Sequence, residues 1–181
     1  VNRDRFFPAI RASVFRGFLN QGQVDGLNDI LDAYELEHPV VLDYRPLAYM
    51  LATAFHETAA TMQPIEEYGK GRGLAYGRPF NGRVYYGRGY VQLTWLANYQ
   101  AMSSIVGVDL VTNPERALVP SIAFKIMSYG MENGVFTGHK LADYITPTKT
   151  DFFNCRRIIN GVDRAAMIAD YAQDFLQGLD A

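Results

Sequence analysis

Apolar residues recur every three to four positions over several stretches of the chain, the spacing that buries one face of a helix. Residues 4–18 carry this pattern as Phe6, Phe7, Ile10, Val14 and Phe18. After a turn at Asn20, Gln21 and Gly22 it resumes as Val24, Leu27, Ile30, Leu31 and Tyr34, with Asp and Glu on the opposite face. Pro39 and Pro46 bracket a connector, and Leu47, Met50, Leu51, Ala54, Phe55 and Thr58 form a third stripe. Helical spacing returns over 95–106, over 121–131 behind Pro114 and Pro120, and over 165–179. Between 63 and 90 the pattern dissolves into glycine, proline and tyrosine, which predicts a long loop with a short hairpin around Asn81-Gly82. The expectation is a mainly α protein with one small irregular or β-rich lobe.

Length and composition narrow the class. The chain has 181 residues, 49% of them hydrophobic and 20% charged, with a formal net charge of −2. That suits one globular domain over 1–181 with no separate binding module, and it argues against a basic nucleic-acid binder. No apolar run approaches the roughly 18 residues of a spanning helix, and the opening Val1-Asn2-Arg3-Asp4-Arg5 lacks the apolar core of a secretory signal. Cys155 is the only cysteine, so no internal disulfide forms and the fold is compatible with a reducing cytoplasm.

Charge is unevenly distributed. Residues 23–67 hold nine carboxylates against the single cation Arg45, whereas 68–108 contain no acid and carry Lys70, Arg72, Arg78, Arg83 and Arg88 among aromatic residues. The second stretch reads either as a solvated loop or as a positive wall for a polymer.

The chemistry-bearing residues lie where these regions meet. On the third helix Glu57 falls at the edge of the apolar stripe, beside Phe55 and Met50, a setting suited to a carboxyl that donates a proton. Glu66 and Glu67 follow past Pro64 at the mouth of the glycine-rich loop. Glycosidic hydrolysis needs such a pair, one carboxyl to protonate the leaving oxygen and one to activate water or attack the sugar. Residue spacing leaves open which of the two neighbours would serve. His56-Glu57 lacks the second histidine of H-E-x-x-H, because Ala60 stands there, and Gly69, Gly71, Gly73 and Gly77 fit neither a P-loop nor a dinucleotide fingerprint. No metal and no cofactor is implied.

The segments Ala54-Phe55-His56-Glu57-Thr58, Tyr85-Tyr86-Gly87-Arg88-Gly89-Tyr90-Val91-Gln92-Leu93-Thr94 and Ile158-Ile159-Asn160-Gly161 together resemble the family 19 glycoside hydrolases, which include plant-type chitinases and bacteriophage endolysins. Asn2-Arg3-Asp4 and Gln23-Val24-Asp25-Gly26 resemble the endolysin branch more than the plant one. The resemblance implies a lysozyme-like helical fold with two lobes flanking a cleft, and an inverting mechanism. It implies Glu57 as general acid, Glu66 rather than Glu67 as general base, and Thr94 holding the attacking water. It places His56, Thr58, Tyr86, Gln92, Asn98 and Asn160 in substrate binding. The plant enzymes' disulfides are absent, and residues 169–171 offer no arginine for the cleft role that some chitinases give one there.

These residues lead to the expectation of a monomeric endolysin that hydrolyses the β-1,4 bonds of peptidoglycan glycan strands, accumulating in the cytoplasm of a bacterial host until lysis. A chitinase acting on N-acetylglucosamine polymers is the alternative, and a non-catalytic sugar-binding domain a third reading.

Overall fold

A computed structural model describes residues 1–181. Seven helices dominate: α1 (Arg3–Ala12), α2 (Gln21–Glu37), α3 (Arg45–Glu57), α4 (Leu96–Val106), α5 (Pro120–Asn133), α6 (Phe152–Cys155) and α7 (Ala165–Leu179). Two antiparallel pairs of two-residue strands accompany them. Strand β1 (Ile65–Glu66) pairs with β2 (Arg88–Gly89), and β3 (Ile145–Thr146) pairs with β4 (Lys149–Thr150). The mainly helical expectation holds. Phe80 and Arg83 also exchange backbone hydrogen bonds across Asn81-Gly82, where both turn residues have positive φ, so the expected tight hairpin turn is present.

The helix boundaries differ from the periodicity in two places. α1 stops at Ala12, because the Ser13 hydroxyl donates back to the Ala9 carbonyl and the chain then turns through left-handed Arg16 and Gly17. Phe18, read as part of the buried stripe, is consequently 73% exposed. α2 begins earlier than expected and takes in Gln21 and Gly22. Asn20 caps it by accepting from the Gln23 backbone N–H, while the Gln23 side chain accepts from the Asn20 N–H.

α3 is enclosed on every side rather than along a stripe. Each residue from Leu47 to Ala54 is buried, as expected when neighbours cover all faces of an apolar helix. α7 packs along α3 and also meets α1 and α6, while α5 packs against α2 and α4. Full burial of a large apolar side chain contributes about 1.5–3 kcal/mol, so Leu47, Met50 and Leu51 alone fix α3 firmly.

The end of α3 leads into a strained linker. Ala59, Ala60 and Met62 all have positive φ, at 50°, 64° and 58°. Left-handed backbone costs a non-glycine residue about 1–2 kcal/mol, and the linker persists because its surroundings hold it. The fully buried Thr58 hydroxyl donates to the Ala54 carbonyl and accepts from the Met62 N–H. From α2, the Gln23 amide donates to the Ala60 carbonyl, and from the linker's end the Gln63 amide donates back to the Gly22 carbonyl. Gly26 lies so close beneath the linker that a Cβ there would stand 2.0 Å from the Met62 carbonyl oxygen.

Gly26→Ala should therefore cost about 1–3 kcal/mol or more, because the clash is with backbone that cannot rotate away. Gly22→Ala should be neutral or stabilising by up to about 1 kcal/mol, since a Cβ there meets only the Asn20 side chain at 3.4 Å in a helix. Urea unfolding of the two variants checks the contrast.

Candidate active site

Glu57 stands at the last position of α3, with its side chain 18% exposed. Its Oε1 accepts from Arg156 Nη1 at 2.6 Å. The guanidinium is itself buried, and its Nε donates to the Asp163 carbonyl. Glu57 Oε2 has no protein partner. Arg156 lies 99 residues along the chain and was not singled out from the sequence. The arginine that reaches this carboxylate comes from the turn after α6, not from residues 169–171. Its only sequence signal is a basic pair, Arg156-Arg157, inside an otherwise apolar run.

Strand alternation separates the next two glutamates. Glu66 turns toward the tyrosine-glycine-arginine segment, where its Oε1 accepts from the Tyr86 hydroxyl at 2.7 Å. Lys70 Nζ stands 3.0 Å from Oε2, and Arg88 Nε 3.7 Å from Oε1. The Tyr86 hydrogen bond is the largest influence holding the Glu66 carboxyl below the usual glutamate range, and it outweighs partial burial with help from Lys70 and Arg88. Glu66 is therefore ionised at neutral pH, as a general base must be. Glu67 points the other way, and both its oxygens are engaged, accepting from the Tyr76 hydroxyl and the Gly87 N–H. It clasps the loop shut.

Arg88 explains why Tyr86 stays in place. Its guanidinium carbon lies 3.6 Å from the centre of the Tyr86 ring, and its Nη1 donates to the Tyr99 hydroxyl, which donates in turn to the Tyr86 carbonyl. Gly87 between them leaves room for the Gln92 side chain, whose Oε1 a Cβ would meet at 2.7 Å.

The remaining predicted residues divide among several settings. Gln92, Thr94 and Asn98 line one small cavity of about 180 Å³ with Trp95, Phe136 and Ile159. The Thr94 hydroxyl has no protein partner, while Asn98 donates to the Thr94 carbonyl and the Gln92 amide donates to the Ile65 and Gly89 carbonyls. Trp95 is 49% exposed, which removes it from the core and puts it on the cavity rim. Asn160 is exposed and directly follows Ile159. His56 faces a different groove, on the α7 side of α3, and burial leads the influences that lower its pKa. Thr58 does not face open space at all: its hydroxyl is buried and engaged in the linker, so a contact with substrate is replaced by a role in holding the turn.

The positive wall is also smaller than the sequence suggested. Arg88 is buried, Lys70 is paired with Glu66, and Arg83 donates to the Thr112 carbonyl. Only Arg72 and Arg78 of the five remain exposed without a protein partner.

Residues 48–133, which include Glu57, Glu66 and Thr94, match the family model for class I chitinases of glycoside hydrolase family 19. That match makes the chain similar to the family 19 glycoside hydrolases over somewhat under half its length. An endochitinase of Arabidopsis thaliana, At2g43620, is 35% identical over 129 residues, covering 66% of this chain and 44% of the relative. Endochitinase 1 of Theobroma cacao is 36% identical over 100 residues, covering 45% of this chain and 30% of that protein. The chain thus spans less than half the length of these curated relatives. Chitinase C from Streptomyces griseus HUT6037 superimposes with a TM-score of 0.66 at 25% identity, over 100% of this chain and 77% of that one. A second bacterial family 19 chitinase shares the fold, with a TM-score of 0.57 at 20% identity over 99% of this chain and 94% of its own. The helical fold is that of these lysozyme-like enzymes.

Replacing Glu57 by Gln keeps an acceptor for Arg156 but removes the donatable proton, so turnover should fall on the order of 10² to 10⁴ while the fold persists. Glu66→Gln should be nearly as damaging and Glu67→Gln mild; rates of purified, folded variants check the order, and the reverse ranking at 66 and 67 would move the base.

Tyr86→Phe deletes the strongest influence lowering the Glu66 carboxyl, so its pKa should rise partway toward the ordinary value, with Lys70 and Arg88 still in place. The base then protonates at higher pH. The acidic limb of the kcat/KM profile should move upward relative to wild type, and an unmoved limb would disconnect Glu66 from it.

Proposed function

We propose that the domain hydrolyses β-1,4 bonds in a glycan of N-acetylated amino sugars by single displacement with inversion, and that its natural substrate is the peptidoglycan glycan strand. The observation that carries the mechanism is the unlike treatment of two carboxyls. Glu57 has one oxygen held by a buried arginine and one free, while Glu66 is kept ionised by a phenol and two cations.

In the reaction Glu57 gives its proton to the leaving glycosidic oxygen as the bond to the anomeric carbon breaks. Glu66 accepts a proton from a water that attacks that carbon from the opposite face, and the Thr94 hydroxyl is free to orient the water. The cycle leaves Glu57 ionised and Glu66 protonated, and exchange with solvent restores both. Gln92 and Asn98 offer polar groups beside the aromatic ring of Trp95, a mixture suited to hydroxyl and acetamido groups on apolar sugar faces.

Charge supports peptidoglycan. Its stems bear carboxylates, chitin is neutral, and the exposed Arg72 and Arg78 stand in an acid-free loop. An endolysin held in the bacterial cytoplasm until lysis fits this substrate and the lone buried Cys155. The chitin reading is favoured by the names of the similar proteins, which are chitinases. Rates on purified peptidoglycan and on chitin oligomers at equal sugar concentration decide between them, with faster chitin cleavage overturning the peptidoglycan reading. Early product observed by proton NMR should be the α anomer; an initial β product would exclude inversion.

A further inference from the structure

The largest open groove in the molecule lies beside the acid rather than in the cavity that holds Thr94. It has a volume of about 660 Å³ and forms where the turn after α1, the end of α3 and the start of α7 meet. Its walls are apolar. The rings of Phe15 and Tyr171 pack edge-on against Phe55, at 5.2 and 4.8 Å between centroids, and Phe18 and Met167 extend the surface outward.

The charged lining has one sign. Arg16 and Arg164 face the groove beside the polar His56 and Gln23, and no carboxylate is among its lining residues, in a chain whose net charge is negative. Arg16 makes no ion pair, and the nearest carboxylate oxygen to Arg164 is that of Asp163 at 4.0 Å, with both side chains mostly exposed. Arg16 thus stands free and Arg164 holds only one exposed contact at the limit of an ion pair, both lining a groove with an aromatic floor.

The backbone here is unusual as well. Of the chain's nine non-glycine residues with positive φ, four line this groove: Arg16, Ala59, Ala60 and Arg164. Strain of this kind concentrates where a ligand must be clamped. The groove also adjoins the catalytic centre, since His56 precedes Glu57 and lies within the fields of Glu57, Arg156, Asp163 and Arg164.

We propose that this groove binds the peptide stem of peptidoglycan, taking its alanyl methyl groups on Phe15, Phe18 and Tyr171 and its carboxylates on Arg16 and Arg164. The assignment rests on the peptidoglycan reading above and adds to it a second recognition element. A neutral, unsubstituted N-acetylglucosamine chain has neither an apolar side arm nor an anion to place there. A ligand with both is what an apolar floor beside two arginines selects, because charge-assisted bonds to a carboxylate strengthen as the floor excludes water.

The test combines binding with turnover. A muropeptide, N-acetylglucosaminyl-N-acetylmuramyl-tetrapeptide, is titrated into ¹⁵N-labelled protein, with tri-N-acetylchitotriose as the stem-free comparison. The muropeptide should shift the amides around Phe15, Phe18 and Arg164, more weakly as salt rises. Arg16→Gln with Arg164→Gln should weaken this binding roughly tenfold, the scale of losing charge-assisted bonds. Chitotriose should leave those amides unmoved. In turnover, wild-type protein should cut peptidoglycan faster than the same glycan stripped of its stems by an amidase, and the double variant should lose most of that ratio. Muropeptide binding that ignores both salt and the two arginines would overturn the assignment, as would equal rates on stem-bearing and stripped glycan. Tight muropeptide binding at the groove with no cleavage of peptidoglycan would keep the groove and refute the substrate reading instead.

Discussion

The position of Glu57 relative to Glu66 depends on the strained turn between them. Glu57 ends a helix whose preceding turns are wholly enclosed, and Glu66 sits in a two-residue strand pinned to β2. Between them Ala59, Ala60 and Met62 hold left-handed backbone that none of these side chains favours. A relaxed linker would be longer-reaching and mobile, and the distance between acid and base would vary with it. The constraint is imposed from α2, whose Gln23 bonds to the linker and whose Gly26 admits the Met62 carbonyl against the helix. α2 in turn is braced from α1, where Arg3 pairs with Asp32 and Glu35, and from α5 along its length. Helices remote from the chemistry thus set its geometry.

The carboxyls are tuned by different means. Arg156 reaches Glu57 from a buried position with its own backbone partner, so its direction is fixed by packing. Glu66 is held by a layered arrangement in which Arg88 fixes the ring of Tyr86, the phenol donates to Glu66, and the mostly exposed Lys70 adds a second cation. Tyr86 leads the control over Glu66, Lys70 follows at 3.0 Å, and Arg88 acts mainly by fixing the Tyr86 ring.

Much of this was legible in the sequence where the signal is periodic or local. The three-to-four spacing located α3 and with it Glu57, and Asn81-Gly82 marked a tight turn. What spacing could not show is which face a short irregular strand presents, so the choice between Glu66 and Glu67 required the pairing of β1 with β2. Nor could it show Arg156, which reaches Glu57 only because α6 and α7 fold back onto α3. The linker was opaque for a different reason: alanine ordinarily avoids positive φ, and tertiary contacts override that preference here. Phe18 looked like the next member of a stripe, but a helix that ends at Ala12 cannot carry the stripe to residue 18.

The charges make the same point most sharply. Five cations in an acid-free stretch suggest a binding wall when counted along the chain. Folded, Arg88 is buried against Tyr86 and Tyr99, Arg83 closes on a backbone carbonyl, and Lys70 serves Glu66. A cation already bonded inside the protein offers little to a ligand, because recruiting it means breaking the existing contact. What matters for recognition is the set of charges left without partners on a surface that also excludes water. Arg16, which makes no ion pair, and Arg164, whose one carboxylate contact is exposed and 4.0 Å long, come closest to that condition although nothing in their sequence surroundings distinguishes them, since they are 148 residues apart and line one groove only where α1, α3 and α7 converge. The charges that a fold leaves open to a ligand therefore follow from how its helices pack, not from the composition of one loop.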